Sequence, residues 1–358
     1  MGGNGHGGGQ RGRWAYIGSF TEADGHGITV AEVDPDTGAL TPVHATDAVA
    51  NPSFLALSPG RDVLYTVSET DDGAVAAFSL ADPARPRLLG AAVPVGGAGP
   101  THLAVAGGRL FTANYGSGSV SALSLRPDGS PAAPAGVLPH HGSGLVAERQ
   151  EGAHAHAVVP DPSGAWLLAA DLGTDAVYVY ALDPATGAPA PHRETALRPG
   201  SGPRQLAFHP RGHRAYVVGE LDSTVTVCRW DAATGEFAAD SPEVRTAAAS
   251  PGGGSTPNYP STAVVSEDGR FLWVANRGHD SITVFALGPD GGTPALRGTV
   301  GCGGHWPRHL AAHPGGRLLY AANERSGDVG WFAVDPDTGI PAQAGAAAVP
   351  AASCVVFA

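Results

Sequence analysis

One unit of sequence recurs along this chain about every 50 residues, a spacing typical of repeat arrays. Each copy runs through an apolar stretch, a Gly/Pro turn, a second apolar stretch, a polar turn and a third apolar stretch. Clear copies begin with FLALSPGRDVLYTVSETDDGAVAAFSL at 54–80 and return at 103–125, 157–182, 206–230, 263–287 and 310–334. A seventh is divided between the ends, with WAYIGSF and GITVAEV inside 14–33 and SCVVFA at 353–358. With 52 Gly and 31 Pro among 358 residues, and no sustained i, i+3, i+4 apolar pattern, the chain favours short strands joined by tight turns over helices.

Seven copies, one of them split, predict an all-β fold. It is a seven-bladed β-propeller of four-stranded antiparallel blades, its first blade closed by strands from both termini. Closure of that kind leaves no long free edge to aggregate. The expected organisation is a disordered Gly-rich tail over 1–13 and a single propeller domain over 14–358. A ring without a free sheet edge needs no partner, so a monomer is expected. The start, MGGNGHGGGQRGR, lacks the apolar core of a signal peptide, and the apolar runs are too short to span a bilayer. A cytoplasmic protein with no membrane contact is the expectation.

Charge narrows the function. All 21 basic residues are arginine, which removes Schiff-base lysines and the P-loop lysine from consideration. A net charge of −12 with no basic run argues against a nucleic-acid surface, since phosphate neutralisation needs clustered cations. Cys228, Cys302 and Cys354 are scattered and read as small buried hydrophobes. The Gly-rich PGGGSTPNYP (251–260) precedes no helical pattern and reads as a loop between blades.

Following the strands separates two faces. The turns DPDTGAL, LDPATGAP and VDPDTGIP, with SPGRD, SEDGR and HPGGR, fall on one face and are turn formers. The other face gathers Ser19-Phe20, Glu69-Thr70, Asn114-Tyr115, Asp171-Leu172, Gly219-Glu220, Asn276-Arg277 and Asn323-Glu324. It also gathers a ring of polar residues just ahead of the innermost strands: Ser53, Thr101, His156, Arg204, Ser261, Arg308 and Ser353. Polar groups repeated about one axis are what a pocket at a channel mouth requires. The Ser and Thr members suit a hydrated channel lining; His156, Arg204 and Arg308 suit a functional site, because charged or titrating groups are seldom buried unpaired.

In RQEGAHAHAVVPD (149–161), His154 and His156 share a side if the segment is extended. Metal chelation would need further ligands at that height, yet Arg204 and Arg308 hold equivalent positions and favour an anion. Arginines, histidines and carboxylates around one cavity suit an anionic small molecule whose reaction activates water. No Gly-x-Ser-x-Gly elbow supports a serine triad. The candidates are His154, His156, Glu220 and Arg204 for catalysis, and Arg308, His309, Arg277, Asn276, Asn323, Glu324, Tyr115 and Thr101 for substrate binding. Neither a metal nor a cofactor is expected.

RQEGAHAHAV (149–158), GSGPRQLAFHP (200–210) with GELDSTV (219–225), DGRFLWVANRGHDSITVF (268–285) and WPRHLAAHPGGRLLYAANERSGDVGWF (306–332) carry a resemblance covering Trp14 to the C-terminus. The chain resembles the propeller lactonase family, which includes 6-phosphogluconolactonases of the propeller type and carboxymuconate cyclases. That resemblance implies a metal-independent pocket where His154, His156, Arg204 and Glu220 lie close together, with Arg308 as the seventh-blade equivalent. Three positions depart from the family pattern: Gln205 stands for His, Gly219 for Asn, and Ser261-Thr262 for an acidic residue. The leading expectation is a hydrolase that opens a small anionic or sugar-derived lactone. The alternatives are a lactonising or cyclising enzyme acting on an unsaturated acid, and a non-catalytic propeller that binds a ligand or partner.

Overall fold

The computed structural model describes residues 12–240, 243–246, 257–292 and 294–358. The expected tail thus lies almost wholly outside the described residues, as does 251–256 of the Gly-rich connection. Seven antiparallel sheets form the blades of a propeller. Blade 1 combines Trp14–Ser19, Ile28–Val33 and Leu40–Thr46 with the C-terminal strand Ala352–Phe357, which pairs antiparallel with Trp14–Ser19. The remaining innermost strands, in order, are Leu55–Leu57, Pro100–Ala106, Ala155–Pro160, Pro203–Phe208, Tyr259–Val265 and Pro307–Ala312. In blades 2 and 5 the outermost strand is broken into two short pieces, Arg87–Leu88 with Val93–Pro94 and Glu236–Ala239 with Val244–Arg245. Thr21–Ala23 is the sole helical turn among the described residues.

Burial explains the sequence pattern. Second strands such as Phe271–Arg277 are buried along their whole length, because a blade covers each face. Outermost strands such as Pro189–Ala196 are mostly exposed and mostly polar or small. The core is divided into seven apolar clusters, each shared by two neighbouring blades, including one between blades 7 and 1. The three cysteines are free, buried and built into these clusters.

Aromatic side chains tie most blades to the next. Tyr16, Tyr65, Tyr216 and Tyr320 donate their hydroxyls to the carbonyls of Pro83, Gly129, Gly291 and Gly38, and the Trp273 indole donates to that of Gly339. Every acceptor lies in a turn of the following blade, so the Gly/Pro turns on that face serve as docking points. Gly38 shows why glycine is required there: its φ is 74°, and an added Cβ would stand 2.8 Å from the Tyr320 hydroxyl.

Candidate active site

The polar ring owes its geometry to a repeated irregularity in the sheets. On six innermost strands the pairing with the second strand slips at the same place, leaving Thr101, His156, Arg204, Ser261-Thr262, Arg308 and Ser353 outside the regular register. In blade 2 the ladder begins only at Leu55, two residues after Ser53. A bulge re-aims a side chain and increases local twist. Here it turns one polar residue per blade toward the channel mouth. The bulge also separates the two histidines that strict alternation would place together. His156 is buried in the channel wall, whereas His154 lies at the rim, stacked on Tyr115 with ring centroids 4.5 Å apart.

Glu220 is the electrostatic centre. It follows the second strand of blade 5, is 3% exposed, and faces three guanidinium groups. Arg149 donates to Oε1 at 2.7 Å, Arg277 donates to Oε2, and Arg204 Nε lies 2.9 Å from Oε2. Burial alone would raise the carboxyl pKa; Arg277, Arg204, His156 and Arg149 outweigh it and hold the group well below the usual carboxylate range. Arg204 is nearly as buried, and burial followed by repulsion from Arg277 pushes its pKa down. Its Nη1 donates to the Ser261 carbonyl. Its Nε–H, though close to Glu220, is off axis and has no hydrogen-bond partner among the described residues.

His156 adjoins this centre. Burial first, then Arg204, depress its pKa well below that of free histidine, so the ring is neutral near pH 7. Tyr115 meets it edge-on at 5.5 Å, and among the described residues no protein group hydrogen-bonds its ring nitrogens. His156 and Arg204 also line a cavity of about 30 Å³ that continues into the channel between Thr101, His102, Gln205, Arg308 and His309. That is space for about two waters.

Deeper in the channel the polar residues stitch blades together. His102 Nδ1 accepts the Val158 amide, Gln205 Oε1 the Ala263 amide and His309 Nδ1 the Val355 amide, at 3.4, 3.0 and 3.4 Å. Gln205 therefore performs the same structural task as the two histidines. Thr101 donates to the His156 carbonyl, Ser261 to that of Pro307 and Thr262 to that of Arg308. At Gly219 an added Cβ would meet the Asp222 carboxylate at 2.5 Å, so Asp222 and Thr224 already fill the space an Asn would take.

The expected site residues thus separate into groups. His156, Arg204, Glu220 and Arg277 come together; Tyr115 accepts Arg149 at 3.4 Å and covers both histidines. Across the mouth, Arg308 donates to Glu324 at 3.1 Å, faces Glu69 at 3.6 Å and stacks over Phe20. Asn276 and Asn323 correct the expectation of substrate contact. Both are 0% exposed and turned into their blades, Asn276 donating to Ser281 and Thr283 and Asn323 to Asp328. A polar residue at a strand end looks the same in sequence whether it turns outward or inward.

Arg149 and His102 were missed, and Glu69 was placed on the functional face without a role. His102 and Glu69 hold places equivalent to His309 and Glu324, so the repeat itself carried that signal. Arg149 comes from the connection before the fourth blade, and its reach to Glu220 spans 71 residues. A buried network behind His154 is also new: His140 Nδ1 pairs with Asp171 at 2.6 Å and its Nε2 with the Tyr180 hydroxyl at 2.6 Å, while Asp171 accepts the His154 amide at 2.9 Å.

Residues 14–357 match the family described as Lactonase, 7-bladed beta-propeller. The chain belongs to this lactonase family. Among curated relatives, the 6-phosphogluconolactonase of Bacillus subtilis is 33% identical over 296 residues, covering 82% of this chain and 83% of its own. Among solved structures, a putative 6-phosphogluconolactonase from Bacteroides fragilis superposes with a TM-score of 0.90 at 28% identity, covering 96% of this chain and 97% of its own. The periplasmic gluconolactonase of Pseudomonas aeruginosa gives 0.88 at 31% identity, covering 96% and 98%. The match spans all seven blades, so the bulge ring and the Glu220 centre lie wholly inside the region shared with the family.

Proposed function

We propose that the pocket hydrolyses the ring of a small anionic, sugar-derived lactone. The observation that carries this reading is the neutral His156, whose ring nitrogens have no protein partner among the described residues, set beside the buried guanidinium of Arg204 on one cavity. A neutral imidazole is in the form that accepts a proton, and a buried guanidinium suits an oxyanion. Water attacks the lactone carbonyl carbon as its proton passes to His156. The carbonyl oxygen becomes an oxyanion held by Arg204. Collapse breaks the bond to the ring oxygen, which takes the proton back from His156; the hydroxy acid then ionises and releases one proton. Glu220 is a poor base, since three arginines stabilise its charge. Its role in this scheme is to hold those guanidinium groups in place. The same concentration of positive charge disfavours a bound cation. Relatives named for phosphorylated and unphosphorylated gluconolactones support the reaction class.

Acid release from δ-gluconolactone and its 6-phosphate, followed with a pH indicator above the spontaneous rate, tests the proposal. His156→Asn is expected to lower kcat by about 100-fold or more, as for other general bases. Wild-type protein that accelerates neither lactone would sink the reading.

A further inference from the structure

Three side chains on the floor of the pocket share one polarity. His102, Gln205 and His309 each accept a backbone amide of the next blade, at Nδ1, Oε1 and Nδ1. Burial keeps both imidazoles neutral near pH 7, and a neutral ring that accepts at Nδ1 carries its proton on Nε2. Gln205, accepting at Oε1, is likewise left with the NH2 of its amide. These three nitrogens have no hydrogen-bond partner among the described residues and are not sealed by protein, so their N–H groups open onto the channel.

The three donors come from blades 3, 5 and 7, and so approach the axis from three directions. Phe54 of blade 2 fills the wider gap between blades 7 and 3 and packs on both rings, its centroid 4.0 Å from that of His102 and 5.7 Å from that of His309. All four residues line the cavity of about 30 Å³ beneath His156 and Arg204. Two residues further along the same strands stand Ala104, Ala207 and Ala311, so these blades offer no second polar layer below.

Charge agrees with this polarity. Burial, then repulsion from Arg277 and Arg308, already opposes the charge of Arg204, which acts on both His102 and His309. Among the lining residues Arg204 and Arg308 outnumber Glu69 by one charge. Adding the rest of the ion-pair network, Arg149, Arg277, Glu220 and Glu324, leaves that excess unchanged. A buried charge calls for a counter-charge.

We propose that His102, Gln205 and His309 hold a small monovalent anion of halide size on the channel axis, as the counterion of Arg204. A halide accepts from several N–H groups at once and donates none, whereas a water there must also place its own protons. A cation finds only donors. Gln205 keeps the site intact because its amide offers the same acceptor and donor as a neutral imidazole. The site stands whether or not lactones are hydrolysed above it.

Crystals grown in sodium bromide, with diffraction data collected at the bromine absorption edge, test the proposal. An anomalous peak among His102, Gln205 and His309 is expected in wild type and in Gln205→His, and none in Gln205→Glu, which keeps the acceptor for Ala263 but replaces the free donor with a negative oxygen. In solution, bromide exchanged for methanesulfonate at constant ionic strength is expected to raise the melting temperature of wild type and Gln205→His by about 2–3 °C, and that of Gln205→Glu not at all. Water alone at the site in wild type, a bromide peak that survives in Gln205→Glu, or equal stabilisation of all three proteins overturns the proposal. Should Gln205→Glu not fold, the maps of wild type and Gln205→His decide it.

Discussion

Glu220 concentrates the stability and the proposed chemistry of the site in one side chain. Its carboxylate is buried with Arg204 and Arg277 almost equally buried beside it. Removing one partner of such a cluster strands the others in a low-dielectric setting, which costs about 3–5 kcal/mol. Glu220→Gln is therefore expected to lower the unfolding free energy measured by urea denaturation by that order as well as reduce turnover; a variant as stable and active as wild type would refute the account. The sequence exposed Glu220, Arg204 and His156 because they are polar residues beside apolar runs. Arg149 was hidden because nothing local indicates that a surface-connection arginine reaches across 71 residues. Asn276 and Asn323 misled for the opposite reason: their partners, Ser281, Thr283 and Asp328, lie on the adjacent strand, and turn composition does not reveal inward rotation.

Between elements, the seams are hydrogen-bonded as well as packed. The Tyr320 hydroxyl, 2.7 Å from the Gly38 carbonyl, joins blade 7 to blade 1. Tyr320→Phe leaves that carbonyl without its partner, and a loss of about 1 kcal/mol in equilibrium unfolding is expected. The inner seam is sensitive to pH. Burial depresses His102 to about 3 and His309 to about 4, from 6.5 in the unfolded chain. The unfolded state therefore takes up protons that the folded state refuses, and stability present above about pH 6.5 is lost as pH falls toward 4. His309→Gln, which copies the natural Gln205 seam, should flatten this dependence in denaturation curves measured between pH 7 and 4.5. An unchanged slope would show that His309 does not titrate in this way.

At the scale of the whole molecule, the ring is closed by the strand Ala352–Phe357 seated against Trp14–Ser19. Deleting 352–358 would expose the edge of a strand whose Ala15, Tyr16 and Ile17 are fully buried. Aggregation or dimerisation on size-exclusion chromatography, with a lowered melting temperature, is the expected result; a monomer of unchanged stability would contradict it. The split repeat made this closure legible, because a strand at one end and three at the other fit only a circle. What period and composition left out was the aim of individual side chains, which depends on the slipped registers of the innermost strands. Those slips also couple the pocket to the frame. Thr101, Arg204, Ser261 and Thr262 stand at bulges, yet each donates a hydrogen bond to a backbone carbonyl of the next blade. A substitution that retunes the mouth of the channel therefore also loosens a seam of the ring.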